Sequence, residues 1–260
     1  MSAKYHVSLP VLLGLLLLNA QDYVRAEQSL MIESDSRPPV LLELYSSQGC
    51  SSCPPAQSWI SEFRDYPQLW NRVIPIVFHV DYWDYIGWQD PFANPSFSER
   101  QRKYAKIEAV NSVYTPGFVM NGKEWTGWFK GKGIGQQHRE QVNIGKLSVK
   151  LMPTSVAVDF SPVSTSPQLS PNPKYLNIAI LGFDIETNVK RGENARKVLK
   201  DNFVVLGFRQ QPYRGEINII DYPDLSVEAK RYAVVVWLTS SNGLTPIQSV
   251  GGYLPVGWEL

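Results

Sequence analysis

"ELYSSQGCSSCPPAQSWISEF", residues Glu43 to Phe63, contains both cysteines of a 260-residue chain, Cys50 and Cys53. It overlaps "PVLLELY" (Pro39 to Tyr45), an apolar run of strand length. Pro54 and Pro55 follow the cysteines and suit a first helical turn, where the missing N–H would have no partner to lose. Trp59, Ile60 and Phe63 then recur at the spacing of one apolar helical face. The stretch reads as strand, Cys-x-x-Cys, helix, with Cys50 at or just before the helix start.

Beyond it, "VIPIVFHVD" (Val73 to Asp81) reads as a second buried strand, ending on His79 and Asp81. An aromatic segment follows, from Tyr82 to Phe97. "SFSERQRKYAKIEAV" reads as a helix, with a capping-box pattern in Ser96 and Glu99. In "VYTPGFVMNGKEWTG" the Asn121-Gly122 dipeptide between strand-like runs signals a hairpin. The glycine-rich Gly131 to Gly135 lacks the lysine and Ser/Thr of a phosphate loop and reads as a flexible connection. From about Leu147 the texture changes to short strand-like runs with turn signals, which indicate an antiparallel sandwich or barrel.

Residues 1–26 carry Lys4, an apolar run from Val7 to Leu18, and a small residue at Ala26, the pattern of an export signal. Removing them takes Lys4, Arg25 and Asp22 from 25 basic and 24 acidic side chains, leaving 23 of each. A neutral mature chain recommends no nucleic-acid partner. No later stretch is long enough to span a bilayer, so a soluble periplasmic or secreted protein is expected. There disulfides persist. A staple across two residues would remove little unfolded-chain entropy, so a purely structural bond explains this pair poorly.

A cysteine at a helix N-terminus meets unpaired N–H groups and the positive end of the helix dipole, which favour thiolate. Cys50 is therefore the expected exposed nucleophile, forming a mixed disulfide that the buried Cys53 resolves. Zinc would need a second ligand pair, and the mature sequence adds only His79 and His138, so no zinc site is assigned. Copper(I) on the two thiolates stays open. No cofactor is called for.

Strand, Cys-x-x-Cys, helix and a later Thr115-Pro116 ahead of a hairpin resemble the thioredoxin fold. That resemblance implies a cis-proline at Pro116 beside the cysteines, with Thr115 offering backbone hydrogen bonds to an extended peptide. "LLELYSSQGCSSCPPA", "FHVDYWDYIGWQDPFA", "RQRKYA", "VYTPGFVMNG" and "RGENARKVL" further resemble a family of secreted bacterial proteins with a thioredoxin-like front and no settled activity. The expected fold is an α/β thioredoxin-like N-terminal domain over 39–146 followed by an all-β, sandwich-like C-terminal domain over 147–260. Ser51-Ser52 between the cysteines matches neither strongly oxidising enzymes nor thioredoxin itself, so the potential stays open.

The function expected is thiol–disulfide exchange on envelope protein thiols or disulfides, through Cys50 and Cys53 and with a redox partner. Thr115, Pro116, Trp83 and Trp88 are the candidate substrate contacts. Trp83, Trp88, Phe92 and Phe97 either form a rim for a partner or seal their segment onto the core. Asp81 is a candidate proton acceptor for Cys53, and His79 a candidate third copper ligand, against the commoner structural histidine. "RGEN" (Arg191 to Asn194) is marked by the resemblance and has no assigned mechanism. Two other functions remain: a Cu(I)-handling protein, and a binding module with an inert disulfide.

Overall fold

The computed structural model describes residues 29–134, 142–163, 172–258 and 260. The expected export signal over 1–26, His138, Gly135 and most of the Pro/Ser-rich 161–173 stretch lie outside the described residues. Those described form fourteen strands and two α-helices.

The first two long runs form β2 (Val40–Ser46) and β3 (Val73–His79), buried at all seven positions each. Continuous apolar runs of this kind are strands covered on both faces. They are parallel, in register from Val40 with Val73 to Ser46 with His79. Between them, α1 (Cys53–Ser61) begins at Cys53 with prolines in its first turn. After β3, α2 (Pro95–Lys106) is capped by Asn94, whose side chain accepts from the Ser96 N–H at 2.9 Å. The cap is therefore two residues earlier than the Ser96–Glu99 pattern suggests. β4 (Gly117–Met120) and β5 (Lys123–Glu124) form the expected hairpin. Its turn residues Asn121 and Gly122 both have positive φ, 50° and 81°, as a tight two-residue hairpin turn requires.

The expected fold is corrected here. An α/β thioredoxin-like domain followed by an all-β domain is not what the chain adopts. The strands from both halves join one eight-stranded sheet in a mainly β molecule. β8 (Tyr175–Phe183), β11 (Val204–Pro212), β13 (Arg231–Thr239) and β14 (Pro246–Tyr253) continue the sheet of β2–β5, in the order β14-β13-β8-β11-β3-β2-β4-β5. The junction is parallel, Val204 beside Val77, with the Val77 N–H donating to Phe203 O at 2.9 Å. β3 is thus an interior strand, with β2 on one side and β11 on the other. Hydrophobic patterning identifies a strand but not its neighbour, and Val204 lies far along the chain from Val77.

A second sheet, β1 (Leu30–Glu33), β6 (Gly145–Leu151), β7 (Ser155–Pro162) and β12 (Asn218–Asp221), covers one face of the rear strands. β1 is paired with β6 from Leu30–Leu151 to Glu33–Ser148. Strand alternation builds two cores. Leu176, Ile178 and Ile180 with Val234, Val236 and Leu238 face this second sheet. Leu181 and Phe183 with Val235 and Trp237 face the core shared with α1 and α2.

Inside that core sits a buried ion pair. Arg100 donates both Nε and Nη2 to Glu43, at 3.1 and 2.9 Å, and Tyr45 and Tyr104 hydroxyls donate to the same carboxylate at 2.8 and 2.7 Å. The guanidinium also lies 5.3–5.8 Å from the ring centres of Phe78, Tyr104, Phe208 and Trp237. Residues from both halves of the chain therefore hold one charge.

The last unit is a two-stranded hairpin, β9 (Ile185–Asn188) with β10 (Val198–Asp201), which packs against α1. Its tip carries Arg191 to Asn194.

Candidate functional site

Cys50 and Cys53 are joined by a disulfide, their Cα atoms 5.4 Å apart. A turn sets the spacing, with the Cys53 N–H donating to Cys50 O at 3.3 Å. Cys53 is the first helical residue, and Cys50 precedes the helix by three positions. Both are 1% exposed, so the expectation of an exposed Cys50 is corrected.

Three segments cover the loop. Trp83 is the first: a Cβ on Gly49 would approach the Trp83 Cβ to 3.0 Å, tight enough that the tryptophan would have to shift, and glycine permits the contact. The Trp83 indole N–H donates to Thr115 Oγ1 at 2.7 Å, tying the aromatic segment to the Thr115–Pro116 loop, whose peptide bond is cis. Trp88 is the second, donating its indole N–H to Gln48 Oε1 at 3.1 Å. Phe92 and Phe97 are 2% and 4% exposed and pack into the interior. The aromatic segment is therefore sealed down, with Trp83 and Trp88 half-buried over the site.

The third segment comes from the rear half. Asn194, fully buried, donates its side-chain amide to Gln48 O and Cys50 O, both at 2.9 Å. Lys197 Nζ donates to Asn194 Oδ1 at 2.9 Å, which orients the amide. Glu193 accepts the Ser51 N–H at 3.1 Å, and hydrogen bonds from Ser51 hold its carboxyl below the usual range. The "RGEN" turn is thus a clamp on the cysteine loop. Its type was visible in sequence as charged and turn-like, but its target was not.

Behind the cysteines lies a buried polar cluster. His79 Nδ1 is 2.7 Å from Asp90 Oδ2, which also accepts the Gln48 N–H at 2.7 Å. Gln48 Nε2 donates to Asp201 Oδ2 at 2.8 Å. Burial alone would lower the His79 pKa, but the charge and hydrogen bond of Asp90, with Asp201 adding, raise it above its ordinary value. Burial would raise Asp90, yet His79 and the N–H groups of Gln48 and Phe92 hold it low. Asp201 is raised by burial, with Asp90 adding and His79 and Gln48 opposing.

Cys53, His79 and Asp201 line one cavity of about 530 Å³ between α1 and the β9–β10 hairpin. Cys50 is not on its wall. Neither is Asp81, whose carboxylate is hydrogen-bonded to Ser98 at the α2 end of the molecule. The structure therefore places His79 on the same cavity as Cys53 and Asp81 outside it. Gln48, Asp90, Asn194 and Asp201 are the site residues that sequence reasoning missed. The motifs of the resemblance contain Gln48, Asp90 and Asn194, but residue type alone gave none of them a role. Among the described residues no group of three His, Cys, Asp or Glu side chains is placed to hold a metal ion. No helix among them is long and apolar enough to cross a membrane.

Fold and site together define a mainly β protein whose Cys-x-x-Cys disulfide is enclosed by residues from both halves of the chain. The chain belongs to the DUF1223 family, described as proteins of unknown function, which it matches over residues 41–239. It is similar in fold to a crystal structure of an Agrobacterium tumefaciens protein solved as a structural-genomics target. There the identity is 21%, with 85% of this chain and 96% of that chain covered and a TM-score of 0.55. It is also similar in fold to HBP35 of Porphyromonas gingivalis, at 13% identity over 87% of this chain and 80% of that one, with a TM-score of 0.54. No curated protein matches the sequence.

Proposed function

We propose that this protein is an exported thiol–disulfide oxidoreductase acting on envelope protein thiols or disulfides through Cys50 and Cys53. The carrying observation is the cavity in which Cys53 shares a wall with His79 and Asp201. Disulfide exchange releases and consumes thiolates, and each thiolate must gain or lose a proton. Two buried titratable groups beside one cysteine suit that need. Cys50 attacks the partner's disulfide, and Cys53 resolves the mixed disulfide and releases the partner. Trp83, Trp88, Thr115 and Pro116 are the contacts this reading assigns to a protein partner. The apolar run and small-residue ending of residues 1–26 support export to the periplasm or beyond.

Turnover of a protein disulfide tests the reading. Cys50→Ser should abolish it with an unchanged unfolding midpoint, and Cys53→Ser should accumulate covalent partner adducts on Cys50. Full turnover in Cys50→Ser would overturn it.

A second reading follows from one observation, the 1% exposure of both cysteines. In that reading the disulfide is inert and the protein is a binding module. A pair that stays oxidised in millimolar glutathione and exchanges with no model disulfide would favour it.

A further inference from the structure

The cavity beside Cys53 has features that neither packing nor the disulfide explains. Two buried polar atoms on its lining residues have no hydrogen-bond partner, His79 Nε2 and Gln57 Oε1. Unpartnered buried polar atoms are uncommon, because each forfeits its hydration without return. Their chemistry is complementary. His79 Nδ1 faces the Asp90 carboxylate, and Gln57 Nε2 donates to Asn202 O at 3.1 Å. That leaves the imidazole edge on one side and an amide carbonyl, an acceptor, on the other.

The rim adds positive charge. Lys197 and Lys200 both line the cavity. Lys200 is paired with Glu186 at 3.1 Å, whereas Lys197 Nζ is held by the neutral oxygen of Asn194. A carboxylate entering here would pair with the Lys197 ammonium at the rim, while the Asp201 carboxyl and Gln57 Oε1 on the wall would accept from a donor group of the same molecule. The volume lies within the range of about 300–1,000 Å³ usual for small-ligand sites.

We propose that this cavity binds a small carboxylate-bearing thiol and delivers its sulfur to Cys53, so that the disulfide is reduced from the cavity that Cys53 lines. The proposal rests on the oxidoreductase reading and names the substrate class for one of its two half-reactions. The incoming thiolate attacks Cys53 Sγ, forming a mixed disulfide and breaking the Cys50–Cys53 bond. Cys50 leaves as a thiolate and takes a proton. A second small thiol then attacks the sulfur of the bound one, leaving Cys53 as a thiol. Two small thiols become one small disulfide, and the protein disulfide becomes a dithiol, so electrons and protons balance.

Glutathione is the probe. The oxidised mature protein is mixed with glutathione, quenched with acid within seconds, alkylated, and digested to locate the adduct by mass spectrometry. In parallel, the Cys50→Ser and Cys53→Ser variants are reacted with glutathione disulfide. The expected result is an adduct on Cys53 in the wild type, formed at least tenfold faster on Cys53 of Cys50→Ser than on Cys50 of Cys53→Ser. Val198→Trp, which narrows the cavity at an exposed strand position, should slow the Cys53 adduct at least tenfold without moving the urea midpoint. An adduct mainly on Cys50 would overturn the proposal and leave the oxidoreductase reading standing. No adduct on either cysteine would overturn the proposal too, and protein-disulfide turnover measured in the same preparation reports separately on the oxidoreductase reading. An unchanged Cys53 rate in Val198→Trp would also sink it.

Discussion

The side-chain amide of Asn194 donates to the main-chain carbonyl of Cys50, 144 residues earlier, at 2.9 Å. The same amide reaches Gln48 O, so one buried side chain from the rear half sets the shape of the loop that carries both cysteines.

Asn194→Ala leaves both carbonyls buried without that donor. An unsatisfied buried group costs about 1–3 kcal/mol, and urea denaturation of the variant should show a loss in that range. Iodoacetamide should also label Cys50 of the reduced variant several-fold faster than in the wild type. A stability loss with unchanged labelling would mean that the clamp supports the fold without covering the sulfur.

Arg100 and Glu43 form the charge pair at the centre of the shared core. Removing one partner strands the other in a dry site, and breaking a buried pair typically costs about 3–5 kcal/mol. Arg100→Met should lose stability on that scale by urea denaturation. Adding Glu43→Gln to Arg100→Met should recover part of the loss, because the stranded carboxylate is then neutral. Equal stability in the single and double variants would argue that the stranded charge is not the main cost.

The His79–Asp90 pair makes stability depend on pH, with opposite signs on the two limbs. The His79 pKa is raised from its ordinary 6.5, so its contribution is full below 6.5 and fades as pH climbs through the raised value. Asp90 is lowered from 3.8, so its contribution is full above 3.8 and fades as pH falls through the lowered value. Asp201, raised from 3.8, holds its proton more firmly folded than unfolded and loses that advantage as pH rises. Thermal melts should therefore show stability falling below about pH 4 through Asp90 and falling above about pH 6.5 through His79, with Asp201 adding to the loss as pH rises. His79→Gln should flatten the decline on the alkaline side of that window. An unchanged slope in the variant would remove His79 as its cause.

A chain ended at residue 146 should not fold. It would expose the β3 edge where Phe203 and Val204 now pair, and would remove Trp237 and Phe208 from around Arg100. Open apolar edges of this kind promote association. Circular dichroism and light scattering of the truncated protein should show lost tertiary signal and aggregates. A soluble, cooperatively melting fragment would contradict this.

Local features were legible because they depend on neighbours in sequence. The Asn121-Gly122 hairpin follows from two residues that tolerate positive φ, and the start of α1 from Pro54 and Pro55. The alternation of Leu181 and Phe183 against Ile178 and Ile180 follows from the two-residue period of a strand. The N-cap at Asn94 was misplaced by two residues, since Ser96 offered an equally good pattern.

By itself, the sequence determined that a lone Cys-x-x-Cys stands between a buried strand and a helix. It also determined that many short strands follow, and that His79 ends a strand. Tertiary structure alone decided that β11 would lie beside β3 and merge two expected domains into one sheet. It alone carried Asn194 and Asp201 to the cysteines and put Cys53 rather than Cys50 on the cavity wall. Backbone pairing and buried hydrogen bonds join residues whose separation along the chain has no bearing on their energy. Residue type states what each group needs, and only the folded chain supplies the group that meets it.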